Sequence, residues 1–270
     1  MRMNNPFMNI NDIKFLLKDK YNFQNPNLAD ILRDIKLLES GYPLAYIIGY
    51  VDFLNCKINV NHKTLIPRPE TEYWVNNLKI ENVEKSGLDI FCGSGCIGIS
   101  LLKKYPKLNI TFADVDDNAL KQTKENLDIN KIDKSRYEVI KSDLFENINE
   151  KFDYIFANPP YVSKGDKVGK ETKYEPKIAL YSKNNGLEII NKFLNTTEKY
   201  LNQNGTLYME FGNKQKGEIE KILNEMMNEK TNKEMNKEVN KKVLRRRFHR
   251  RRTFSKDQFN RWRLVSLQAF

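Results

Sequence analysis

Residues 158–161, Asn-Pro-Pro-Tyr, carry groups that could bind a planar NH₂ group. Proline has a fixed φ and no backbone N–H, so carbonyl groups beside it can accept hydrogen bonds without a competing donor. The side-chain carbonyl of Asn158 and the backbone carbonyl of Pro159 could therefore accept both protons of an amide or amine, while Tyr161 stacks on the flat group. The predicted catalytic residues of this NPPY segment are Asn158, Pro159, Pro160 and Tyr161.

An amide nitrogen is a poor nucleophile because its lone pair is delocalised into the carbonyl group. Two acceptors aligned on its N–H bonds would hold the nitrogen in place for transfer and stabilise the positive charge that develops on it. A site of this kind acts by positioning and needs no strong general base. We therefore interpret Glu70, Glu72 and Glu175 as ion-pair or loop-anchoring residues.

A glycine turn, residues 91–95, joins a buried strand to a helix in the sequence Leu-Asp-Ile-Phe-Cys-Gly-Ser-Gly. At such a turn the backbone N–H groups and the helix N-terminus face a ligand in the crevice at the strand ends. Glycines there permit a close approach of the ligand to the backbone. The predicted ligand contacts around this turn are Asp89, Phe91, Cys92, Gly93, Ser94 and Gly95.

Two further acidic residues follow the next strands and suggest that the ligand is a nucleoside. Asp114 ends the second strand, about 20 residues past the glycines, where a carboxylate can accept both hydroxyl protons of a ribose. The following helix can be capped instead by Asp116, Asp117 or Asn118, which leaves Asp114 free. Asp143 and Leu144 follow the third strand, where they could hold the edge and the face of an adenine ring.

From residue 87 onward, short apolar runs alternate with helical stretches. The predicted strands are GLDIF, NITFAD, YEVIKSD, FDYIFA and GTLYMEF, with helices from about Cys96, from Asn118 and over 184–201. This alternation of strands and helices is typical of a doubly wound, largely parallel α/β sheet. Residues 213–242 are predicted to begin as a helix and continue as a solvated connector, and residues 263–270 are predicted to form a final strand.

The chain divides into three predicted segments. Apolar residues at helical spacing between 8 and 40 predict a small N-terminal helical unit, residues 1–48. Alternation in YVDFLNCKINVNHKTLI predicts a β-hairpin linker, residues 49–73, with Asn61-His62 at or near its turn. Residues 74–270 form the third segment, which contains a basic low-complexity stretch at about 213–253.

Composition excludes several classes of protein. A chain of 270 residues with 40% hydrophobic content can bury a sizeable core, which excludes disordered and fibrous proteins. No run approaches the roughly 20 uncharged apolar residues of a membrane helix, and the N-terminus has no apolar signal-peptide core. We therefore expect a soluble, cytoplasmic protein without membrane contact. Three cysteines and two histidines form no complete ligand set, so we expect no metal.

Charge is distributed unevenly along the chain. Residues 213–263 carry 17 Lys and Arg against 7 Asp and Glu, out of 46 and 35 in the whole chain. A basic segment on a nearly neutral body indicates a face for an acidic partner, such as RNA or the ribosome. Six arginines lie within eight positions: Arg245, Arg246, Arg247, Arg250, Arg251 and Arg252. Their side chains could pair with phosphates. The alternative is that this run is a solvated segment at the edge of the protein.

Seven segments occur in the order found in one known family. They are LIPRPETE, DIFCGSGCIGIS, ADVDDNAL, SDLF, NPPYV, YEPKIAL and GTLYMEFGNKQ, within roughly residues 38–220. In these segments the chain resembles the HemK/PrmC family of protein-glutamine N5-methyltransferases. NPPY also occurs in methyltransferases that act on adenine or guanine, whereas LIPRPETE together with YEPKIAL narrows the resemblance to the glutamine enzymes.

The resemblance implies a class I S-adenosylmethionine-dependent methyltransferase fold, Rossmann-like with a largely parallel seven-stranded sheet. It places the methyl donor across the glycine turn and Asp114, and a glutamine amide at the NPPY segment, with Asn158 shared between the two. The implied substrate is the Gly-Gly-Gln glutamine of peptide-chain release factors, gripped by the N-terminal unit of a monomeric enzyme.

The sequence departs from the family pattern at Phe91, which replaces the first glycine of Asp-x-Gly-x-Gly-x-Gly. Phenylalanine does not tolerate a positive φ as glycine does, so we expect the methionine end of the donor to sit differently. The N-terminal unit is also shorter than usual for the family. The Asp-x-Phe-x-Gly-x-Gly turn occurs in several RNA methyltransferases.

Three alternatives remain open at this stage. The first is methylation of a ribosomal-protein glutamine, and the second is methylation of an exocyclic amine in RNA or DNA, which Phe91 and the arginine run favour. The third is a degenerate methyltransferase that binds RNA and performs no chemistry. Failure to bind the methyl donor would favour this third alternative.

Overall fold

The computed structural model describes residues 10–24, 27–80 and 84–225. The arginine run, the predicted closing strand at 263–270 and most of the basic low-complexity stretch therefore lie outside the described residues. Within those ranges no helix is long and apolar enough to cross a membrane.

Seven strands lie in the described ranges and form two sheets. The strands are β1 (Tyr50–Phe53), β2 (Cys56–Asn59), β3 (Lys85–Ile90), β4 (Leu108–Asp114), β5 (Tyr137–Lys141), β6 (Phe152–Ala157) and β7 (Leu201–Met209). The first two form an antiparallel hairpin, and the other five form a parallel sheet in the order β5-β4-β3-β6-β7. Of the expected seven-stranded sheet, five strands lie within the described residues. All five predicted strands are confirmed.

Helices connect the strands and form the N-terminal unit. They are α1 (Ile10–Phe15), α2 (Leu28–Glu39), α3 (Leu44–Ile48), α4 (Pro69–Asn77), α5 (Cys96–Lys104), α6 (Asp117–Ile129), α7 (Lys177–Leu180), α8 (Lys183–Gly186) and α9 (Glu188–Thr197). A π-helical turn covers Leu16–Lys20, and residues 216–225 form a further helix at the start of the predicted helical stretch.

The N-terminal helices have a small core of their own. Leu16, Leu38 and Ile47 are its buried members. The side chain of Asn27 caps α2 by accepting a hydrogen bond from the Ala29 N–H at 3.0 Å. A compact helical unit therefore precedes the hairpin, as the spacing of apolar residues predicts. The exact bounds of the three predicted segments stay a prediction.

The hairpin turns at residues 54–55, so the predicted turn at Asn61-His62 is wrong. Phe53 pairs with Cys56, and Leu54 adopts a left-handed conformation with φ of 52°. Burial decides this register, because Phe53, Cys56 and Ile58 all lie in the main core and a shift by one residue would expose them. The Leu54 N–H also donates to the Glu72 carboxylate at 2.6 Å, as expected of a loop-anchoring residue.

Asn126 of α6 and Asn130, the residue after it, bind the hairpin to this helix. Asn126 accepts from the Asn59 N–H at 2.8 Å and donates to the carbonyls of Asn59 and Ser94 at 3.0 and 2.8 Å. Asn130 forms a similar pair of bonds with the backbone of Lys57. The hairpin is therefore tied to the glycine turn through one buried amide.

The parallel sheet is buried on both faces, which is typical of doubly wound folds. One core contains Trp74, Phe112 and Phe156, and the other contains Phe193 of α9. Helix α5 packs very closely on the sheet, because a Cβ at Gly98 would lie 2.3 Å from the ring of Phe112.

The sheet order creates a crevice at one edge of the sheet. From β3 the chain moves to β4 on one side, and it later returns to β6 on the other. Ile90 is in register with both Ala113 and Ala157, so the segments after β3, β4 and β6 leave the sheet side by side. Ligands of doubly wound proteins bind at this kind of switch point.

Candidate active site

A cavity of about 270 Å³ lies at the carboxyl ends of the strands, at this switch point. The predicted residues that line it are Phe91, Cys92, Gly93, Ser94, Asp114, Asp143, Leu144, Asn158 and Pro160. A smaller pocket of about 40 Å³ adjoins it and is lined by Pro159 and Tyr161. Asn158, Leu65 and Arg68 line both, so Asn158 stands between the two spaces. Asp89 and Gly95 line neither.

The glycine turn winds through left-handed conformations. Gly93 has φ of 55° and Gly95 has φ of 77°. A Cβ at Gly95 would touch Ile99 and Thr123 at 3.0 Å, so the turn has no room for a side chain there. A Cβ at Gly93 would meet only the Phe91 carbonyl at 4.0 Å and would project into open space. The backbone at Gly93 is thus accessible to a ligand in the cavity.

Phe91 adopts a left-handed conformation, contrary to the expectation that phenylalanine avoids it. Its φ is 60°, which costs a non-glycine residue about 1–2 kcal/mol. Its ring packs edge-on against Phe193 with centroids 5.5 Å apart, and this packing offsets the strain. The turn therefore keeps a left-handed path at residue 91, and the ring adds an apolar surface to the cavity wall.

Asp89 lies beneath the turn and is fully buried. Its Oδ2 accepts a hydrogen bond from the Gly98 N–H at 2.8 Å, while Oδ1 has no partner among the described residues. Burial, helped by the nearby Asp114 carboxylate, raises the pKa of Asp89 to about 8. Asp89 thus holds the first turn of α5 and lies behind the cavity wall.

We expect the stability of the protein to fall as the pH rises through the pKa of Asp89. A carboxyl group whose pKa is raised on folding binds more protons in the folded state, so its contribution is present at about pH 4 and lost by about pH 8. An asparagine side chain cannot ionise, so Asp89→Asn should have a melting temperature that depends less on pH. Thermal unfolding of both proteins from about pH 5 to about pH 9 tests this. Parallel curves would contradict it.

Asp114 holds the turn and faces the cavity. Its Oδ2 accepts from the Gly93 N–H at 2.9 Å, and its Oδ1 accepts from the Asp116 N–H at 3.0 Å. Burial raises the pKa of this carboxyl. Asp116 caps α6 by accepting from the Asn118 N–H at 2.9 Å, which confirms one of the predicted capping residues. Each Asp114 oxygen retains a further lone pair for a ligand.

A hydrogen-bond network lies behind the NPPY segment. Asn158 Nδ2 donates to Thr71 Oγ1 at 3.4 Å, and Thr71 Oγ1 donates to Glu210 Oε2 at 2.7 Å. Trp74 Nε1 donates to the same oxygen at 3.0 Å, and the Tyr161 hydroxyl donates to Glu210 Oε1 at 3.0 Å. The hydroxyl of Tyr161 is thus held by protein, and its ring packs against the core.

The predicted site residues do not include Thr71, Trp74 and Glu210. The sequence does hold a signal for Glu210, which is a lone acid directly after the apolar strand β7. Because β6 and β7 are parallel neighbours, the residues that follow them, Asn158 and Glu210, lie at the same edge of the sheet. The Glu210 N–H donates to the Ala157 carbonyl at 2.9 Å, which places Glu210 beside Asn158. No local pattern identifies Thr71 and Trp74 as its partners.

The two segments that narrow the family resemblance meet at this site. Arg68 of LIPRPETE forms an ion pair with the fully buried carboxylate of Glu175 in YEPKIAL. Glu175 also accepts a hydrogen bond from the Ile66 N–H at 2.9 Å. The predicted ion pairing of Glu175 is confirmed, whereas Glu70 is exposed. The pair holds residues 65–68 over both pockets.

Comparison with known proteins agrees with this arrangement. The methyltransferase small domain family model matches residues 69–174. A release factor glutamine methyltransferase of Lactococcus lactis is 36% identical over 195 residues, covering 70% of this chain and 71% of that protein. One from Streptococcus pneumoniae is 40% identical over 183 residues, covering 66% and 64%.

A third relative acts on a different protein. The ribosomal protein uL3 glutamine methyltransferase of Francisella tularensis is 36% identical over 189 residues, covering 66% of this chain and 59% of that protein. The matched segments of these three relatives thus span 59–71% of their lengths. The parallel sheet is the class I methyltransferase fold expected from the sequence, and the chain belongs to the release factor glutamine methyltransferase family.

Proposed function

We propose that the protein transfers a methyl group from S-adenosylmethionine to the side-chain amide nitrogen of a glutamine, namely the Gly-Gly-Gln glutamine of a peptide-chain release factor. The observation that carries the proposal is the position of Asn158 between two adjoining spaces, one beside the glycine turn and one beside Tyr161. The names of the relatives support the choice of substrate.

The residues around the larger cavity suit S-adenosylmethionine, which supplies the methyl group. The open backbone at Gly93 would approach its methionine end, and the Asp114 carboxylate would accept the ribose hydroxyl protons. Asp143 and Leu144 would hold the adenine, and Phe91 would add an apolar contact. Asp89 and Gly95 would act by shaping the turn.

The glutamine amide would occupy the smaller pocket. The Asn158 side-chain carbonyl and the Pro159 backbone carbonyl would accept its two N–H bonds and hold the nitrogen towards the larger cavity. The same acceptors stabilise positive charge on the nitrogen as its bond to the methyl group forms. The methylated amide then loses one proton to water, so no side chain need act as a strong base.

We infer that the N-terminal helical unit contacts the release factor. Leu28 and Leu32, one turn apart on α2, are 67% and 49% exposed, and Phe23 is 71% exposed, so apolar side chains of this unit are available for contact. The unit is joined to the substrate side of the site, because the rings of Tyr42 and Tyr174 pack 4.9 Å apart. Since release factors work at the ribosome, we propose a cytoplasmic location.

A ribosomal-protein glutamine is the second candidate substrate, because one relative carries that name. The decisive experiment is a labelled methyl-transfer assay with the full chain. It offers a release factor, the same factor with its Gly-Gly-Gln glutamine replaced, ribosomal protein uL3 and ribosomal RNA. Label on the intact factor alone supports the proposal, label on uL3 supports the second candidate, and label on RNA alone rejects both.

Asp114→Ala should raise the dissociation constant for S-adenosylmethionine by about tenfold or more, because two ribose hydroxyls lose their acceptor. Isothermal titration calorimetry measures this directly. Asp117→Ala is the matched control. Asp117 starts α6, the helix that follows Asp114, and its side chain is 76% exposed and paired to Lys141. Equal affinities of the Asp114 variant and wild type would move the ribose contact to another residue.

A further inference from the structure

Glu210 is a buried carboxylate at the end of β7, with 5% of its surface exposed. Three side chains from two parts of the chain donate to it, namely Thr71 and Trp74 of α4 and Tyr161 of the NPPY segment. Glu210 also lines the smaller pocket. Two hydrogen bonds link it to Asn158, because Thr71 donates to Glu210 and Asn158 donates to Thr71. Through Thr71 the carboxylate can therefore act on the orientation of the Asn158 amide.

The chemistry of the partners fixes the direction of each hydrogen bond. A carboxylate can only accept, and the Trp74 indole can only donate. Thr71 has a single hydroxyl proton, and the 2.7 Å bond to Glu210 Oε2 uses it. Towards Asn158 the Thr71 oxygen can therefore only accept, so it must face the NH₂ end of that amide, at 3.4 Å. The carbonyl end of Asn158 then points away from Thr71.

We propose that Glu210 and Thr71 are positioning residues that hold the Asn158 amide with its carbonyl towards the substrate, an inference that rests on the proposed function. If the amide flipped, its NH₂ group would face the NH₂ group of the glutamine, and two donors would oppose each other. The relay from Glu210 through Thr71 to Asn158 therefore makes the site select a donor group, such as a primary amide, over a group that can only accept, such as a carbonyl.

The test compares Thr71→Val, which keeps the shape of the side chain but removes the hydroxyl, with Thr71→Ser, which keeps the hydroxyl. We expect Thr71→Val to lower kcat for methylation of the release factor by about tenfold, with an unchanged Kd for S-adenosylmethionine. Thr71→Ser should retain kcat within about twofold of wild type. Equal kcat values for the two folded variants would overturn the proposal. If Thr71→Val does not fold, judged by circular dichroism, Thr71→Ala serves in its place.

Glu210→Gln separates the relay from a simple need for negative charge. Its carbonyl oxygen can still accept from Thr71 and Trp74, while its NH₂ group faces the Tyr161 oxygen, which can accept. The direction at Asn158 is thus preserved, and we expect the Asn158 side-chain NH₂ group to keep slow hydrogen exchange in this variant. Exchange as fast as in Thr71→Val would overturn the relay.

A second readout does not depend on activity. The side-chain NH₂ signals of Asn158 in ¹⁵N-labelled full-length protein, assigned by their loss in Asn158→Ala, report the bond to Thr71. We expect the same shifts and slow hydrogen exchange in wild type and Thr71→Ser, and altered shifts with faster exchange in Thr71→Val. Unchanged signals in Thr71→Val would overturn the proposal. If wild type methylates no glutamine, the proposed function fails, and these signals still decide the orientation of Asn158.

Discussion

Asn158→Ala should lower the kcat of glutamine methylation by about tenfold to a hundredfold, because one of the two substrate N–H groups then loses its acceptor, at a cost of about 1–3 kcal/mol. The protein should fold normally. Asn158 is half-buried, and among the described residues its side chain forms one hydrogen bond, to Thr71 at 3.4 Å. Steady-state kinetics with the release factor, together with the melting temperature, measure both effects.

The matched control for this variant is Asn77→Ala, which removes an exposed asparagine amide that bonds the Tyr73 carbonyl and lines neither pocket. It should leave kcat unchanged. Asn158 is predicted both to orient the substrate and to contact the methyl donor. The Kd of S-adenosylmethionine separates these roles, since loss of a substrate-orienting residue changes kcat more than this Kd. Normal turnover of Asn158→Ala would reject its proposed role.

Glu175→Ala should destabilise the protein by about 3 kcal/mol, because it leaves the Arg68 guanidinium without its carboxylate and the Ile66 N–H without its acceptor. We take the lower end of the range for buried pairs because the Arg68 side chain is 28% exposed. At this size of protein the melting temperature should fall by about 6–12 °C. Methyl transfer should fall as well, since residues 65–68 form part of both pockets.

Two controls interpret this result. Glu171→Ala removes an exposed carboxylate four residues before Glu175 and should leave the melting temperature unchanged. Glu175→Gln keeps an acceptor for Ile66 but removes the charge, so its melting temperature should lie between those of wild type and Glu175→Ala. A wild-type melting temperature for Glu175→Ala would show that LIPRPETE and YEPKIAL do not depend on this ion pair.

Much of the fold and the donor side of the site can be predicted from sequence, because the signals are local. A strand, a glycine turn and a helix follow one another within residues 85–104, and parallel strands bring their carboxyl ends to one edge of the sheet. Gly93, Asp114, Leu144 and Asn158 are therefore placed at one cavity by strand order alone. The capping of α6 by Asp116 is local in the same way.

The conformation of Phe91 and the turn of the hairpin could not be predicted in this way. Phe91 has an unfavourable φ that its own sequence context does not explain, and the contact with Phe193 that supports it lies about 100 residues away. The Asn61-His62 pair has the composition of a turn, but burial of Phe53 and Ile58 places the turn earlier.

The βαβ order, the glycine turn, the acids after the strands and the NPPY segment can each be identified from short stretches of sequence, because their signals are local. The network behind Asn158 depends instead on the folding of the whole chain. Thr71 and Glu210 are 139 positions apart, and Arg68 and Glu175 are 107 apart. Such pairs form because folding buries polar groups, and each buried polar group needs a hydrogen-bond partner. Which residue becomes that partner depends on the packing of the whole chain.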